Sequence, residues 1–159
     1  MSIFDRLFGS GKSSAPPDIP FGRYTDAYKT DAQQKAFDRS LELFDDGKHL
    51  EAYREFMTYL KDPQFDNINW REQDGVLEFD FWQGSQCISG TASSEKVKAE
   101  SKIARADDLN VGFLRRLMEA NFNLKFSRFA LDPQNNLCIL FDTGSADASP
   151  LKLLHAFRE

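Results

Sequence analysis

The sequence predicts an α+β domain in which helices pack against an antiparallel sheet of about five strands, in the order α-α-β-β-β-α-β-β-α. Three observations lead to this fold class. Apolar residues recur every three or four positions over residues 30–62, as on one face of a helix. From Asn67 they alternate with polar residues, as in a strand with one buried face. Groups of Asp, Asn, Gly and Pro separate these segments and predict turns.

Residues 30–62 are predicted to form a helical hairpin. The stretch Thr30-Asp31-Ala32-Gln33 fits a capping box, in which the Thr and Gln side chains close the first helical turn. Gly47 is expected to end the first helix in the left-handed conformation, and the second helix starts at about His49. The pair resembles one tetratricopeptide unit. Such units need roughly three copies to bury their faces, so this hairpin is expected to pack on the rest of the chain.

The rest of the chain is predicted to supply the sheet and two more helices. A turn at Asp74-Gly75 joins two strands over residues 68–72 and 76–82. The small-residue stretch 84–94 is given no strand. The further predictions are a third strand at 97–106, a helix capped by Asp108, a strand hairpin over 124–131 and 137–141, and a last helix that begins at Pro150, the favoured first position.

The 159 residues are expected to form one domain with a small appendage. Residues 9–20 are rich in Gly, Ser and Pro, which is typical of a linker. We therefore predict a flexible segment over residues 1–22 and a single domain over 23–159. Within that domain the helical hairpin occupies 30–62, and the sheet with its helices occupies 68–159.

The charge, hydropathy and cysteine content of the sequence indicate which partners and which cellular compartment to expect. The net charge of −5 disfavours a nucleic-acid partner, because nucleic-acid binding needs a basic surface. No apolar run reaches the ~20 residues of a membrane span. Cys87 and Cys138 have neither disulfide-framework nor metal-site spacing, and free thiols are typical of a reducing compartment. The predicted location is the cytoplasm.

Two short motifs suggest enzymes, but neither has the required context. GSGKSS near the start resembles the end of a phosphate-binding loop, but the first glycine of that loop would fall on Arg6, and Pro16-Pro17 opposes the helix that must follow. FDTGSA resembles an aspartic protease motif around Asp142, but only 17 residues follow that Asp. His49 and His155 lie far apart and have no metal-ligand spacing. We predict no enzymatic activity, no cofactor and no metal.

Three stretches give the chain from about Ile68 onward a resemblance to the type III secretion chaperone-like fold, which includes the YbjN-like proteins. LRRLMEAN at 114–121 resembles the leucine-rich helix that precedes the second hairpin of that fold. FALDPQNNLCILF at 129–141 resembles its strand, turn and strand, and ASPLKLLHAF at 148–157 resembles its closing helix. The resemblance implies a mixed domain that dimerises and binds protein. The helical hairpin departs from it, since the family has one leading helix there.

The strands over 124–131 and 137–141 carry apolar residues on both faces, whereas a one-sided sheet needs only one apolar face. The second face is covered by the helical hairpin, by another subunit or by a client. We predict a non-catalytic module that binds a protein or peptide client and can form a homodimer. The alternatives are an N-terminal interaction domain of a larger bacterial protein and an enzyme with an unrecognised site. The candidate partner-binding residues are Trp82, Phe126, Phe129 and Leu140.

Overall fold

The structure is a computed structural model that describes residues 30–61, 67–83 and 86–158. The predicted flexible segment over residues 1–22 lies outside these ranges. The described part has four helices and six strands, so the α+β class is confirmed with one strand more than predicted. In chain order the elements are α1 Asp31–Asp45, α2 His49–Leu60, β1 Ile68–Gln73, β2 Val76–Gln83, β3 Gln86–Ala92, β4 Lys96–Arg105, α3 Val111–Ala120, β5 Arg128–Leu131, β6 Asn136–Gly144 and α4 Pro150–Arg158.

The helical hairpin begins and turns at the predicted residues. The Thr30 hydroxyl accepts from the Gln33 N–H at 3.2 Å, and the Gln33 side chain accepts from the Thr30 N–H at 3.0 Å, which completes the capping box. Gly47 adopts φ 77°, the left-handed conformation expected of a glycine after a helix. The Gln33 amide also donates to the backbone carbonyls of Tyr59 and Lys61, so it ties the start of α1 to the end of α2.

The six strands form one antiparallel sheet in the order β1-β2-β3-β4-β6-β5. The β1–β2 hairpin turns through Asp74 and Gly75, whose φ angles of 52° and 76° are those of a two-residue type I′ turn. This turn sets the register in which Gln73 lies opposite Val76. The chain leaves the sheet after β4, crosses it through α3, and returns to form β5 at the edge.

All four helices lie on one face of the sheet. The larger buried cluster joins α1, α2 and α4 to the inward side chains of β2, β4 and β6, among them Phe79, Val97 and Phe141. A smaller cluster joins Leu117 of α3 to Phe129 and Leu137. Because Leu137 and Phe141 are separated by an even number of positions on β6, both clusters lie on the same side. The fold therefore has two layers.

Three local predictions differ from the structure. Asn110, rather than Asp108, caps α3 by accepting from the Phe113 N–H at 2.8 Å, because residues Ala106–Asp108 form a 3-10 turn first. Strand β5 begins at Arg128, four residues later than predicted. Residues Gln86–Ala92, in the stretch that was given no strand, form β3, because β2 and β4 pair with it on both sides. The last helix, α4, begins at Pro150 as predicted and packs on α1, α2 and β2, where the Phe157 ring meets those of other aromatic residues at 5.9–6.2 Å.

The outer edge of β5 is closed by one side chain. The Asn121 amide donates to the Phe129 carbonyl at 3.1 Å and accepts from the Phe129 N–H at 2.6 Å. These are the two backbone groups that a further strand would bind. An edge strand with unpaired groups is a site of unwanted pairing, so Asn121 protects this edge.

We expect Asn121→Ala to lower the free energy of unfolding by about 1–2 kcal/mol, because two hydrogen bonds to the backbone of β5 are lost. The amides of β5 should exchange faster with deuterium. Asn123→Ala, two residues further on at an exposed position, is the matched control and should change neither quantity. Equal effects of the two substitutions would contradict the role given to Asn121.

Candidate functional site

The face of the sheet that points away from the helices carries the candidate site. Strand alternation places polar side chains there in rows that run across the strands. One row contains Arg71, Glu78, Thr91, Lys98 and Asp142 from β1, β2, β3, β4 and β6. The next row contains Asn69, Asp80, Ser89, Glu100, Leu140 and Arg128. Within the described residues no helix covers these rows.

An open groove of about 550 Å³ runs over strands β1 to β4 on this face. Its floor is formed by β3, whose side chains here are short: Ser89, Gly90 and Thr91. Gly90 has no side chain because the ring of Phe79, its cross-strand neighbour, occupies the core side of that position. The flanking strands carry the longer charged side chains that form the walls. Short residues on an interior strand thus produce the depression.

The charges in the groove are partly paired. Arg71 pairs with Glu78 at 2.5 Å, and Lys98 pairs with Glu100 at 3.6 Å. The Ser89 hydroxyl donates to the Asp80 carboxylate at 2.6 Å. Among the described residues no Lys, Arg or His lies within ion-pair distance of Asp80, so its charge is available to a ligand.

Trp82 and Leu140 extend the open face with apolar surface. Trp82 lies opposite Cys87, at the far end of β2 from the turn, and half of its surface is exposed. Leu140 is half-buried in the row that contains Asp80. The other two candidate residues lie elsewhere. Phe126 stacks on His155 at 6.1 Å beside the larger cluster, and Phe129 is 2 % exposed within the smaller one. The structure therefore brings two of the four candidates to one face.

A second apolar surface lies on α3 and was not among the predicted site residues. Val111 and Met118 of α3, and Phe122 in the turn just after it, recur at helical spacing on the side away from the buried Leu117, and Phe122 is 92 % exposed. The sequence showed these residues as an apolar stripe, which a helix facing the core would also show. The apolar pattern does not show whether such a stripe faces the core or the solvent. The exposure of these three side chains in the structure shows that it faces the solvent.

The motif around Asp142 has an ordinary structural role. Its carboxylate pairs with Lys96 at 3.0 Å across β4 and β6, and the following residues form a 3-10 turn at Ser145–Asp147. Ser145 is buried, and its hydroxyl donates to the Ser93 carbonyl at 2.7 Å. Within the described residues no group of three or more His, Cys, Asp or Glu side chains could hold a metal ion.

The histidines and cysteines do not meet in the groove. His49 lies against the Phe44 ring and His155 against the Phe126 ring. Cys138 is buried between β4 and β5, and burial, with the nearby Asp132 and Glu100 charges, raises the pKa of its thiol. A raised pKa leaves little thiolate, the form that acts as a nucleophile. Cys138 is therefore poorly suited to covalent catalysis.

Tyr53 links the helical hairpin to the sheet. Its hydroxyl donates to the Ser145 carbonyl at 3.0 Å, and the ring is fully buried. Burial raises the pKa of the phenol to about 12, and the Ser145 side chain offsets a smaller part of that shift in the opposite direction. The folded state therefore binds the phenolic proton more tightly than the unfolded state does.

We expect this proton to make stability fall with pH. The contribution of Tyr53 is complete below the unfolded pKa of 10.0 and is lost as the pH rises towards about 12, the folded value. Tyr53→Phe should cost about 1 kcal/mol at neutral pH through the lost hydrogen bond, and should reduce the loss of stability above pH 10. Urea unfolding across this range would test both parts. An unchanged pH dependence in the variant would contradict the assignment.

Comparison with models of known protein families and with curated proteins found no match for this chain. The resemblance to the type III secretion chaperone-like fold thus stays a prediction. Within the described residues no helix combines the length and apolar character needed to cross a membrane.

Proposed function

We propose that this protein is a non-catalytic protein-binding module whose open sheet face holds an extended segment of a client. One observation carries the proposal: among the described residues the six-stranded sheet has helices on one side only, and its other side forms a groove of about 550 Å³. An extended segment of a few residues matches a groove that crosses four strands. The expected resemblance to secretion chaperones, which bind protein, favours the same class.

The chemistry of the groove defines the segment that fits. Asp80 offers a carboxylate without a cationic partner among the described residues, whereas Glu78 and Glu100 are paired with Arg71 and Lys98. A client segment with a Lys or Arg side chain complements this part of the floor. Trp82 and Leu140 offer apolar contact further along the same face. The proposed client is therefore a basic, partly apolar extended segment.

One contact in the groove favours an enzyme instead of a binding module. The Ser89 hydroxyl donates to the Asp80 carboxylate at 2.6 Å, and such a pair could belong to a catalytic site. A serine nucleophile needs a general base that takes its proton, usually a histidine oriented by the carboxylate. Both histidines of the chain lie outside the groove, against Phe44 and Phe126. A binding module needs no such base, so we assign Ser89 and Asp80 to recognition of the client.

Two further features belong to the proposal. Cys87 and Cys138 are free thiols, which suits action in the reducing cytoplasm. The helical hairpin, which stands where the resembling family has a single helix, covers the inner face and leaves the outer face for the client. A larger protein that contains this domain would use the same face.

Peptide selection tests the proposal. Peptides selected from a random displayed library on the purified protein should be enriched in Lys and Arg, and fluorescence anisotropy should give their affinities. Thr91→Arg, on the groove floor, should weaken their binding at least about tenfold through steric and charge conflict. Glu42→Arg, on the exposed side of α1, introduces the same side chain with a larger change of charge and should leave binding unchanged. Selected peptides that bind wild type and Thr91→Arg equally would contradict the proposal.

A further inference from the structure

The two edge strands of the sheet differ in whether a side chain binds their outward backbone groups. Strand β5 is closed by the Asn121 side chain. At the opposite edge, the described residues show no side chain bonded to the outward backbone groups of β1. Proteins usually protect such an edge. Five of the six β1 residues are exposed, including Trp70, which is 37 % exposed.

The hydrogen-bond pattern shows which β1 groups point outward. The Trp82 N–H donates to the Asn67 carbonyl at 2.7 Å, so this pair is a hydrogen-bonded one. In an antiparallel ladder such pairs alternate, which assigns Asn69 and Arg71 to the bonds with β2. The N–H and C=O groups of Ile68, Trp70 and Glu72 therefore point away from the sheet and are available for another strand.

We propose that β1 pairs with β1 of a second copy of this chain, antiparallel and centred on Trp70. In this register the outward groups of Ile68, Trp70 and Glu72 form hydrogen-bonded pairs with Glu72, Trp70 and Ile68 of the partner copy. The pairing is self-complementary, as a two-fold interface requires. It joins the two sheets into one continuous sheet.

Charge selects this register and disfavours the neighbouring one. Centring on Trp70 places Arg71 opposite Asn69 of the second copy on the open face, so no like charges meet. Centring on Arg71 would place two guanidinium groups directly opposite each other, which is destabilising. On the helix-facing side, the chosen register brings the two exposed Trp70 indoles together, and aromatic cross-strand pairs stabilise sheets. The Arg54–Glu72 ion pair at 2.6 Å stays intact, because Glu72 then faces an isoleucine.

This inference is independent of the proposed client site. The pairing uses the backbone edge of β1, whereas the groove is formed mainly by side chains on the open face of β1 to β4, and Trp70 borders both. A second copy at the edge leaves both grooves open, so loss of pairing is not expected to abolish peptide binding.

Cysteine cross-linking tests the pairing and its register in the full chain. Paired residues of a hydrogen-bonded antiparallel pair have Cα atoms about 5.5 Å apart, within the range of a disulfide. Trp70→Cys should therefore give a covalent dimer on mild oxidation. Glu72→Cys lies on the same edge, but in this register the two copies of position 72 are about 13 Å apart, so little dimer should form. The unsubstituted chain, which keeps Cys87 and Cys138, measures the background.

Sedimentation over a concentration series gives a second measurement that does not depend on cysteine. The wild-type mass should double as concentration rises. Trp70→Pro should prevent this, because the Trp70 N–H points outward and proline is tolerated at such edge positions while it blocks a new strand. Phe122→Ser, in the exposed turn after α3, should leave the dimer intact. A melting curve of Trp70→Pro checks that the protomer still folds.

Three outcomes would overturn the proposal. The first is loss of the dimer in Phe122→Ser with its retention in Trp70→Pro, which would place the interface on α3. The second is equal cross-linking of Trp70→Cys and Glu72→Cys. The third is a wild-type monomer at every concentration, and protection of the Trp70 and Glu72 amides from hydrogen exchange in that monomer would place another segment on the edge.

Discussion

Replacing Gly90 by alanine is expected to destabilise the fold by about 3 kcal/mol, at the upper end of the usual cost of overpacking. A Cβ atom at this position would overlap the Phe79 ring and lie 2.6 Å from the Lys98 backbone carbonyl. Strand β4, which holds that carbonyl, is paired with β3 on one side and β6 on the other and cannot easily move. The Phe79 ring is confined by the core cluster. Both obstacles are therefore rigid.

Gly144→Ala is the matched control for this substitution. Its Cβ would have the Glu95 carbonyl as nearest neighbour at 3.8 Å, an ordinary contact, and its φ of −62° suits any residue. Chemical denaturation should show a large loss for Gly90→Ala and a change within about 0.5 kcal/mol for Gly144→Ala. Equal stability of the two variants would mean that β3 lies further from β2 and β4 than the structure places it.

Leu154→Asp is expected to unfold the domain. Leu154 is buried on α4 within the larger cluster. Loss of a buried leucine costs about 2–5 kcal/mol, and an unpaired buried carboxylate adds to this cost. The sum is comparable with the whole stability of a typical domain, about 5–15 kcal/mol. Circular dichroism and thermal melting should show loss of the cooperative transition.

Leu151→Asp, one turn earlier on the same helix, controls for helix propensity and charge. Leu151 is 48 % exposed, so the substitution should shift the melting temperature only slightly. A stable Leu154→Asp variant that no longer self-associates would assign α4 to an interface and would contradict its place in the core. Similar effects of the two substitutions would mean that α4 does not dock as described.

The helical hairpin was predictable because its signals are local. The Thr30 capping box, the Gly47 left-handed turn and the apolar spacing all act within a few residues. The two-residue turn at Asp74-Gly75 is equally local and fixed the first strand hairpin. The residues within these elements specify their secondary structure, and long-range packing adds stability to it.

Strand β3 could not be predicted, because its composition reflects its neighbours. The segment QCISGTA contains few residues that favour strands. It is extended because β2 and β4 pair with it on both sides, and it has a glycine where the Phe79 ring needs the space. Such a strand is specified by tertiary contacts, which the local pattern does not contain.

The candidate site was predictable only in part, for the same reason. Alternation indicated correctly that the strands near the end of the chain carry apolar groups on both faces, and Trp82 and Leu140 lie on the open one. Phe129 lies on the inner face, and the sequence could not show that α3 covers it. The groove depends on the order of four strands and on the short side chains of β3, so it was visible only in the structure.

Photo-cross-linking in cells shows whether the open sheet face binds a client. A photoreactive residue placed at Thr91, in the groove, and separately at Glu42, on the exposed side of α1, would be activated in the cells that make the protein. We expect covalent adducts with another protein from the Thr91 position and none from the Glu42 position. Adducts absent at Thr91 but present at Glu42 would contradict it.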